Sequence, residues 1–483
     1  MIEARNFIGG EWCEAFEGGW LERRNPATGE VATKLVNSGH LDVVRAIQAA
    51  NKALANWMKL EPEARTQQVL AFARLLEGRL EEVAQMQSRE TGVPITASRS
   101  DVRRGLNALL ATAHLYSIRT EASFSTSKAQ FSAHRLPIGI IGLIASWSEA
   151  VSFLLSRIGA ALLNGNCVIA KPSSLTAGTA QLIAHAAKES GLPPGVLNFV
   201  QGRGEEVARL LVEHPSVSTI AFAGSTETGR DIEQRAAENL KRTQLALSAC
   251  NSVLVFADTD LEKTAAKVAR LTLSQLFPLS SKGTRVFVQE SVYKRFLEIF
   301  EAEVKKLVVG DPFSDLTHIG PLAREEDVKK HESAIALALS EKGKLLVGGQ
   351  GKPEIASGLN PTNFVLPTVI YDLTLCSVLQ QEEAPGPFCL VSSFKYQHEA
   401  VKHANTSPFG QVAHVFHSNV AKAHKIAQKL EAGRIFMNPT WNLWDPRINF
   451  GGLKSSGLGR EGVEANLDFF ARQTSIHIDL MES

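Results

Sequence analysis

Ser280-Ser281-Lys282 is one place where this chain could carry out nucleophilic chemistry, because a lysine beside a serine can act as its base. A serine hydroxyl is far less ionised than a thiol at neutral pH and attacks nothing without such help. Lys282 stands only two positions from Ser280, and we read it as a solvated, outward-pointing lysine. None of the thirteen histidines has a spacing that pairs it with Ser280, so no triad is built. Cys250 is a second candidate nucleophile, against the commoner reading of a buried, inert thiol. Phosphate chemistry has its own candidates. The turn Ala223-Gly224-Ser225-Thr226 joins a predicted strand to a predicted helix, where free backbone N–H groups attract phosphate oxygens. Gly202-Arg203-Gly204 opens another helix, although glycines at that spacing also simply make turns.

The elements that must position these residues follow from periodicity. Asp42–Gln87 reads as paired amphipathic helices, with apolar residues at three- and four-residue spacing. From Ile138 the texture becomes an alternation of strand and helix. The predicted strands are Ile138–Ala145, Cys167–Ala170, Val196–Val200 and Val217–Ala223. The predicted helices are Phe153–Leu163, Ala177–Ser190, Glu205–Glu213 and Thr226–Asn239. Such a series implies a parallel, doubly wound sheet covered on both faces. A second α/β segment runs from about Asn251 to Lys454, with strands at Ser252–Phe256, Arg285–Val288, Thr368–Tyr371 and Gly433–Met437. Phe131–Leu136 and Thr474–Ile478 are β-prone but lie outside the alternation.

The bulk properties exclude several classes. A chain of 483 residues with 44% hydrophobic and 21% charged residues suits a globular protein of two or three domains. The formal net charge of +1 gives no reason to expect nucleic acid or a membrane surface as partner. No long apolar run or signal-peptide pattern is present, and the five scattered cysteines read as reduced thiols of a cytoplasmic protein without a metal cluster.

Motifs along nearly the whole length, in order, resemble those of the aldehyde dehydrogenase family. They include Phe7-Ile8-Gly9-Gly10-Glu11-Trp12, Asn25-Pro26-Ala27-Thr28-Gly29, Lys171-Pro172-Ser173 and Phe222-Ala223-Gly224-Ser225-Thr226. Glu382-Glu383 with Gly386-Pro387, and Phe450-Gly451-Gly452 through Gly459-Arg460-Glu461, complete the series. The resemblance implies an α/β fold. A doubly wound dinucleotide-binding domain spans 1–118 and 138–248, and a second, catalytic-type domain spans 249–463. A β bridging arm for oligomerisation is formed by 119–137 and 464–483, the alternative being two ordinary edge strands.

The resemblance also implies site residues. Counting back from Arg285-Val286, the family's catalytic cysteine position is Ser280, and its Gly-Gln pair is Phe277-Pro278. The general base position is Ala246, which moves no proton, and the oxyanion asparagine position is Ser148. Phe277-Pro278 stiffens and fills a loop that glycine would keep open. Trp147, Lys171, Ser174, Gly202, Gly204, Gly224, Ser225 and Glu383 fall at cofactor-binding positions. Ser174 stands where NAD-preferring members carry a carboxylate that repels a 2′-phosphate, so either NAD or NADP is admitted, bound weakly. Pro385 replaces an aromatic of the nicotinamide clamp. The expectation is a pseudoenzyme: a catalytically inactive, homodimeric or homotetrameric nucleotide- or ligand-binding scaffold, with a small molecule or an active paralogue as partner. The alternative is an NAD(P)-dependent oxidoreductase acting on an aldehyde by a non-standard mechanism, or a hydrolase using Ser280.

Overall fold

The computed structural model describes residues 1–119, 121–276, 278–383, 385–439 and 444–480. Its largest sheet has eight strands, in the order Gly457–Leu458, Arg242–Ala246, Val217–Ala223, Ile140–Ile144, Cys167–Lys171, Leu197–Phe199, Asn6–Ile8 and Glu11–Cys13. The five from Arg242–Ala246 to Leu197–Phe199 run parallel. Cys167–Lys171 is buried at every position, as a parallel strand covered on both faces must be. The covering helices include Ala150–Leu163, almost wholly buried, with Ala177–Glu189 and Gly204–Glu213. One contiguous apolar core joins them to the sheet.

The second sheet has seven strands: Lys344–Val347, Thr368–Tyr371, Phe388–Phe394, Gly283–Gln289, Asn251–Val255, Val412–Phe416 and Arg434–Met437. All neighbours are parallel except the antiparallel edge strand Lys344–Val347. Its apolar faces pack into cores of their own. The α/β architecture expected from the sequence, a doubly wound parallel sheet followed by a second α/β sheet, is the one observed.

Three local expectations need correction. The Asp42–Gln87 region holds three helices, His40–Lys59, Pro62–Gly78 and Leu80–Thr91, not a pair. Pro62 at a helix start makes the first break, and Arg79, at φ −110, makes the second without any proline to announce it. Phe388–Phe394 and Val412–Phe416 were not expected as strands. Each is a short apolar run of ambiguous period, and the second carries the polar His414 at its centre.

The two β-prone segments belong to neither large sheet. Ala129–Pro137 pairs antiparallel with Ala471–Asp479 over their full lengths, and Ser123–Ser125 adds a third strand. Phe124, Ile476 and Ile478 are exposed on this small sheet. Among the described residues no helix is long and apolar enough to cross a membrane.

Candidate active site

A cavity of about 740 Å³ lies where loops from both large sheets meet. Loops beyond the C-terminal ends of parallel strands supply the wall on one side, the usual place for ligands in open α/β sheets. Trp147 and Ser148 follow the strand Ile140–Ile144, Gly224 and Ser225 follow Val217–Ala223, and Ala246 ends its own strand. Ser280, Ser281 and Lys282 come from the turn before Gly283–Gln289, and Glu383 from the loop before Phe388–Phe394. Seven of the expected site residues therefore line one cavity: Trp147, Ser148, Gly224, Ser225, Ala246, Ser280 and Glu383. Pro278 lines it too. Phe277, and with it half of the loop-filling expectation, lies outside the described residues.

At the Ser280 end the decisive contact involves a residue the sequence did not flag. The backbone N–H of Ser280 donates to Glu149 Oε2 at 3.1 Å. Glu149 itself sits at φ 54, a left-handed conformation that costs a non-glycine residue on the order of 1 kcal/mol. Its carboxylate is held by Arg104 Nη2 at 3.3 Å, and the same nitrogen reaches Asp101 Oδ1 at 2.9 Å. Asp101 is buried and also accepts from the Gln87 amide, the Val151 N–H and the Ser152 hydroxyl. A backbone N–H aimed at a reacting centre can stabilise a developing oxyanion only if it is free. Here a fixed negative charge already accepts from it. Ser148 Oγ lies 3.3 Å from Ser146 Oγ, and the Ala246 methyl offers no proton acceptor.

The turn is fixed from behind by His414, which donates its Nε2–H to the Ser281 carbonyl at 2.9 Å. Burial pushes this imidazole down to about 4, so it stays neutral and is a strut for the turn. Lys282 is not the solvated lysine expected. It is part-buried, lines the cavity and donates to the Gly386 carbonyl. Burial pushes its ammonium down to about 8, opposed by the attraction of Glu383 and Cys389. Glu383 accepts a long hydrogen bond of 3.4 Å from the Ala249 N–H, and Lys282 attracts the same carboxylate. The expectation failed because two residues of separation in a 3-10 turn leave side-chain direction to the tertiary packing.

Cys250 is buried outside this cavity, with Sγ near the Gln380 and Glu382 carbonyls. The thiol of Cys167, buried in the strand Cys167–Lys171, is pushed up to about 12 by burial. Among the described residues no cysteine lines the cavity.

Lys171, Ser174, Gly202 and Gly204 sit apart from this cavity, at the ends of the adjacent parallel strands Cys167–Lys171 and Leu197–Phe199. Gly202, at φ +129, could not carry a Cβ, which would meet the Ser38 nitrogen at 2.9 Å. Arg23 joins this group, donating from Nη2 to Ser174 Oγ at 2.9 Å. Arg23 Nε is buried without a partner. Burial shifts the Arg23 guanidinium down, and repulsion from Arg203 and Arg324 adds to it. Burial, then repulsion from Arg23, pushes Lys171 down to about 8. Among the described residues no carboxylate pairs with Arg23, Lys171 or Arg203. A buried carboxylate sets the geometry from one layer away. Glu90 accepts from Thr33 Oγ1, the Gly178 N–H and both donors of Thr179 at 2.7–2.9 Å. Thr33 is the register partner of Arg23, so Glu90 ties the strand Val31–Val36, beside Arg23's own, to the start of the helix Ala177–Glu189 that follows Ser174. The sequence did carry a signal here: Leu21 and Arg23 share one face of an alternating strand, which puts an arginine on an inward side.

Comparison with known proteins agrees with this layout. The model of the aldehyde dehydrogenase family matches residues 12–476. The chain belongs to the aldehyde dehydrogenase family. Human 2-aminomuconic semialdehyde dehydrogenase is 33% identical, over 99% of this chain and 98% of the human protein. The 2-hydroxymuconic semialdehyde dehydrogenase of Pseudomonas sp. (strain CF600) is 33% identical, over 99% of this chain and all of its own length. Among solved structures, P. syringae indole-3-acetaldehyde dehydrogenase with NAD+ and IAA superposes at a TM-score of 0.94, with 30% identity over 99% of this chain and 97% of that one. An E. coli NADP dependent enzyme gives 0.93, with 28% identity over 99% and 98%.

The two ends of this aldehyde dehydrogenase fold differ as a receptor for a dinucleotide. The unpaired cations around Ser174 and the glycine turn at Gly202 fit the anionic, adenosine end. At the other end Lys282 faces Glu383, and Pro385 carries no aromatic ring.

Proposed function

We propose that this protein is an aldehyde-dehydrogenase-fold binding protein that has lost thiol-dependent aldehyde oxidation. The observation that carries this reading is the Glu149 carboxylate on the Ser280 N–H. An oxyanion formed at Ser280 would meet a negative charge where the fold needs a donor. Ser280 in the nucleophile position and Ala246 in the base position act in the same direction. The retained ligand is a dinucleotide held by its adenosine end. Arg23, Lys171 and Arg203 favour a 2′-phosphate, so NADP is bound no more weakly than NAD. The small three-stranded sheet, with Phe124, Ile476 and Ile478 exposed, pairs the chain into a homodimer or a dimer of dimers. Light scattering should then give at least twice the chain mass of 52.4 kDa.

A second reading, an NAD(P)-dependent oxidoreductase of non-standard mechanism, is favoured by one feature: the part-buried Lys282 on the cavity wall beside Glu383. A panel of aldehydes with NAD and with NADP separates the two. The expected outcome is binding of NADP by calorimetry without formation of reduced nicotinamide. Turnover in the usual range of about 1–10³ s⁻¹ would favour the second reading.

A further inference from the structure

Lys282 is placed as no solvated lysine is. It lines the 740 Å³ cavity with Ser280, Ser281 and Glu383, and its Nζ donates to the Gly386 carbonyl. A neutral amine can give that one hydrogen bond and still hold a lone pair for attack. Glu383 from its own loop, Cys389 from the strand Phe388–Phe394 and His331 from the helix Glu325–Ser340 are the titratable groups that face it. His331 is itself shifted down by burial, and the Cys389 thiol is pushed up to about 12, so neither supplies a charge at neutral pH. Glu383 is an exposed carboxyl group on the same cavity wall, able to take and pass a proton. With the ammonium near 8, about a tenth of Lys282 is free amine at pH 7. Lys330, on the same cavity wall, is exposed and has no such environment.

We propose that Lys282 Nζ captures aldehydes in this cavity as a reversible imine, a covalent binding site that replaces thiohemiacetal formation at Ser280. The amine lone pair attacks the carbonyl carbon, an N–C bond forms, and the C=O π pair moves to oxygen. That oxygen takes a proton relayed through Glu383, giving a carbinolamine. A second proton, lost from nitrogen, lets the oxygen leave as water while the C=N bond forms. One amine and one aldehyde give one imine and one water, with no change of oxidation state. Hydrolysis reverses every step. The cavity also suggests which aldehydes are held best. The Arg434 guanidinium lies 3.6 Å over the Phe450 ring, has no carboxylate in ion-pair contact among the described residues, and lines the same space. An aldehyde bearing an acid group offers a partner to each of the two cations that line the cavity.

The test is borohydride trapping of the purified full chain, without dinucleotide, using butanal and succinic semialdehyde as probes. Peptide mapping by mass spectrometry should find one reduced secondary amine per chain, on Lys282, at aldehyde concentrations that leave surface lysines unmodified. Succinic semialdehyde should label at the lower concentration. Lys282→Arg should abolish the label, while Ser280→Ala should keep it. If the arginine variant does not fold, the wild-type map decides alone. A label spread over exposed lysines, or none on Lys282 with either probe, overturns the proposal. Because no dinucleotide is present, that failure is distinguishable from a failure to bind NADP.

Discussion

The adenosine end and the Ser280 end of this molecule are built from the same fold, yet their charges are arranged in opposite ways. Around Ser174, three cations stand together with no carboxylate in ion-pair contact among the described residues, and the Arg23 Nε has no partner there. Repulsion among unpaired cations is tolerable when an anion arrives to neutralise it, and it is then worth binding energy. Around Ser280, the donor that an oxyanion would need is already taken by a carboxylate, which Arg104 neutralises from the far side. One end is open to an anion and the other is already supplied with one. On the proposed reading, the fold keeps its ligand crevice while Glu149, with Ser280 and Ala246, closes the reactive centre.

The largest expected effect tests whether that closure is real. Ser280→Cys should stay at least about 10⁴-fold below ordinary family turnover of about 1–10³ s⁻¹, because the oxyanion donor and the base are both absent. The neighbouring Glu149 carboxylate would also hold a cysteine thiol in its protonated form. Robust NAD-linked oxidation of an aldehyde by the single variant would break the comparison. A smaller effect is expected at the other end. Arg23→Ala should weaken NADP about 10- to 100-fold, the worth of one or two charge-assisted hydrogen bonds, and leave NAD almost unchanged. Equal losses for both dinucleotides in a calorimetric titration would show that Arg23 only supports the fold.

The smallest effect is in stability and concerns pH. Lys282 has a folded-state pKa of about 8 against 10.5 in the unfolded chain. A depressed lysine contributes stability that is present above the unfolded value and is lost as pH falls through the folded one. Stability should therefore rise between pH 8 and 10.5, with Lys171 and Lys241, also near 8, contributing in the same window. Lys282→Met should remove one part of that rise, up to about 1.4 kcal/mol per pH unit, in denaturant titrations. An unchanged slope would mean that Lys282 is solvated after all.

Periodicity and motif order were enough to read the fold. Fully apolar runs such as Cys167–Ala170 can satisfy their backbone only inside a parallel sheet, and the strand Val217–Ala223 was legible to its last residue. The serine at 280, the alanine at 246 and the serine at 148 are read directly from the sequence, whatever the packing. Other features could come only from tertiary structure. Glu149 reads as an ordinary surface carboxylate until the turn carries it at φ 54 onto the Ser280 N–H, 131 positions away. Arg23 and Ser174 are 151 positions apart and meet only in the folded chain, where Glu90 joins the strand beside Arg23's to the helix after Ser174. Lys282 was read as solvated, since a loop sequence records charge but not direction. Its burial depends on Gly386 and Glu383, which another loop delivers. Local sequence determined which groups this protein possesses; long-range packing decided which charges face one another, because Coulomb and hydrogen-bond energies depend on separations that only the folded chain sets.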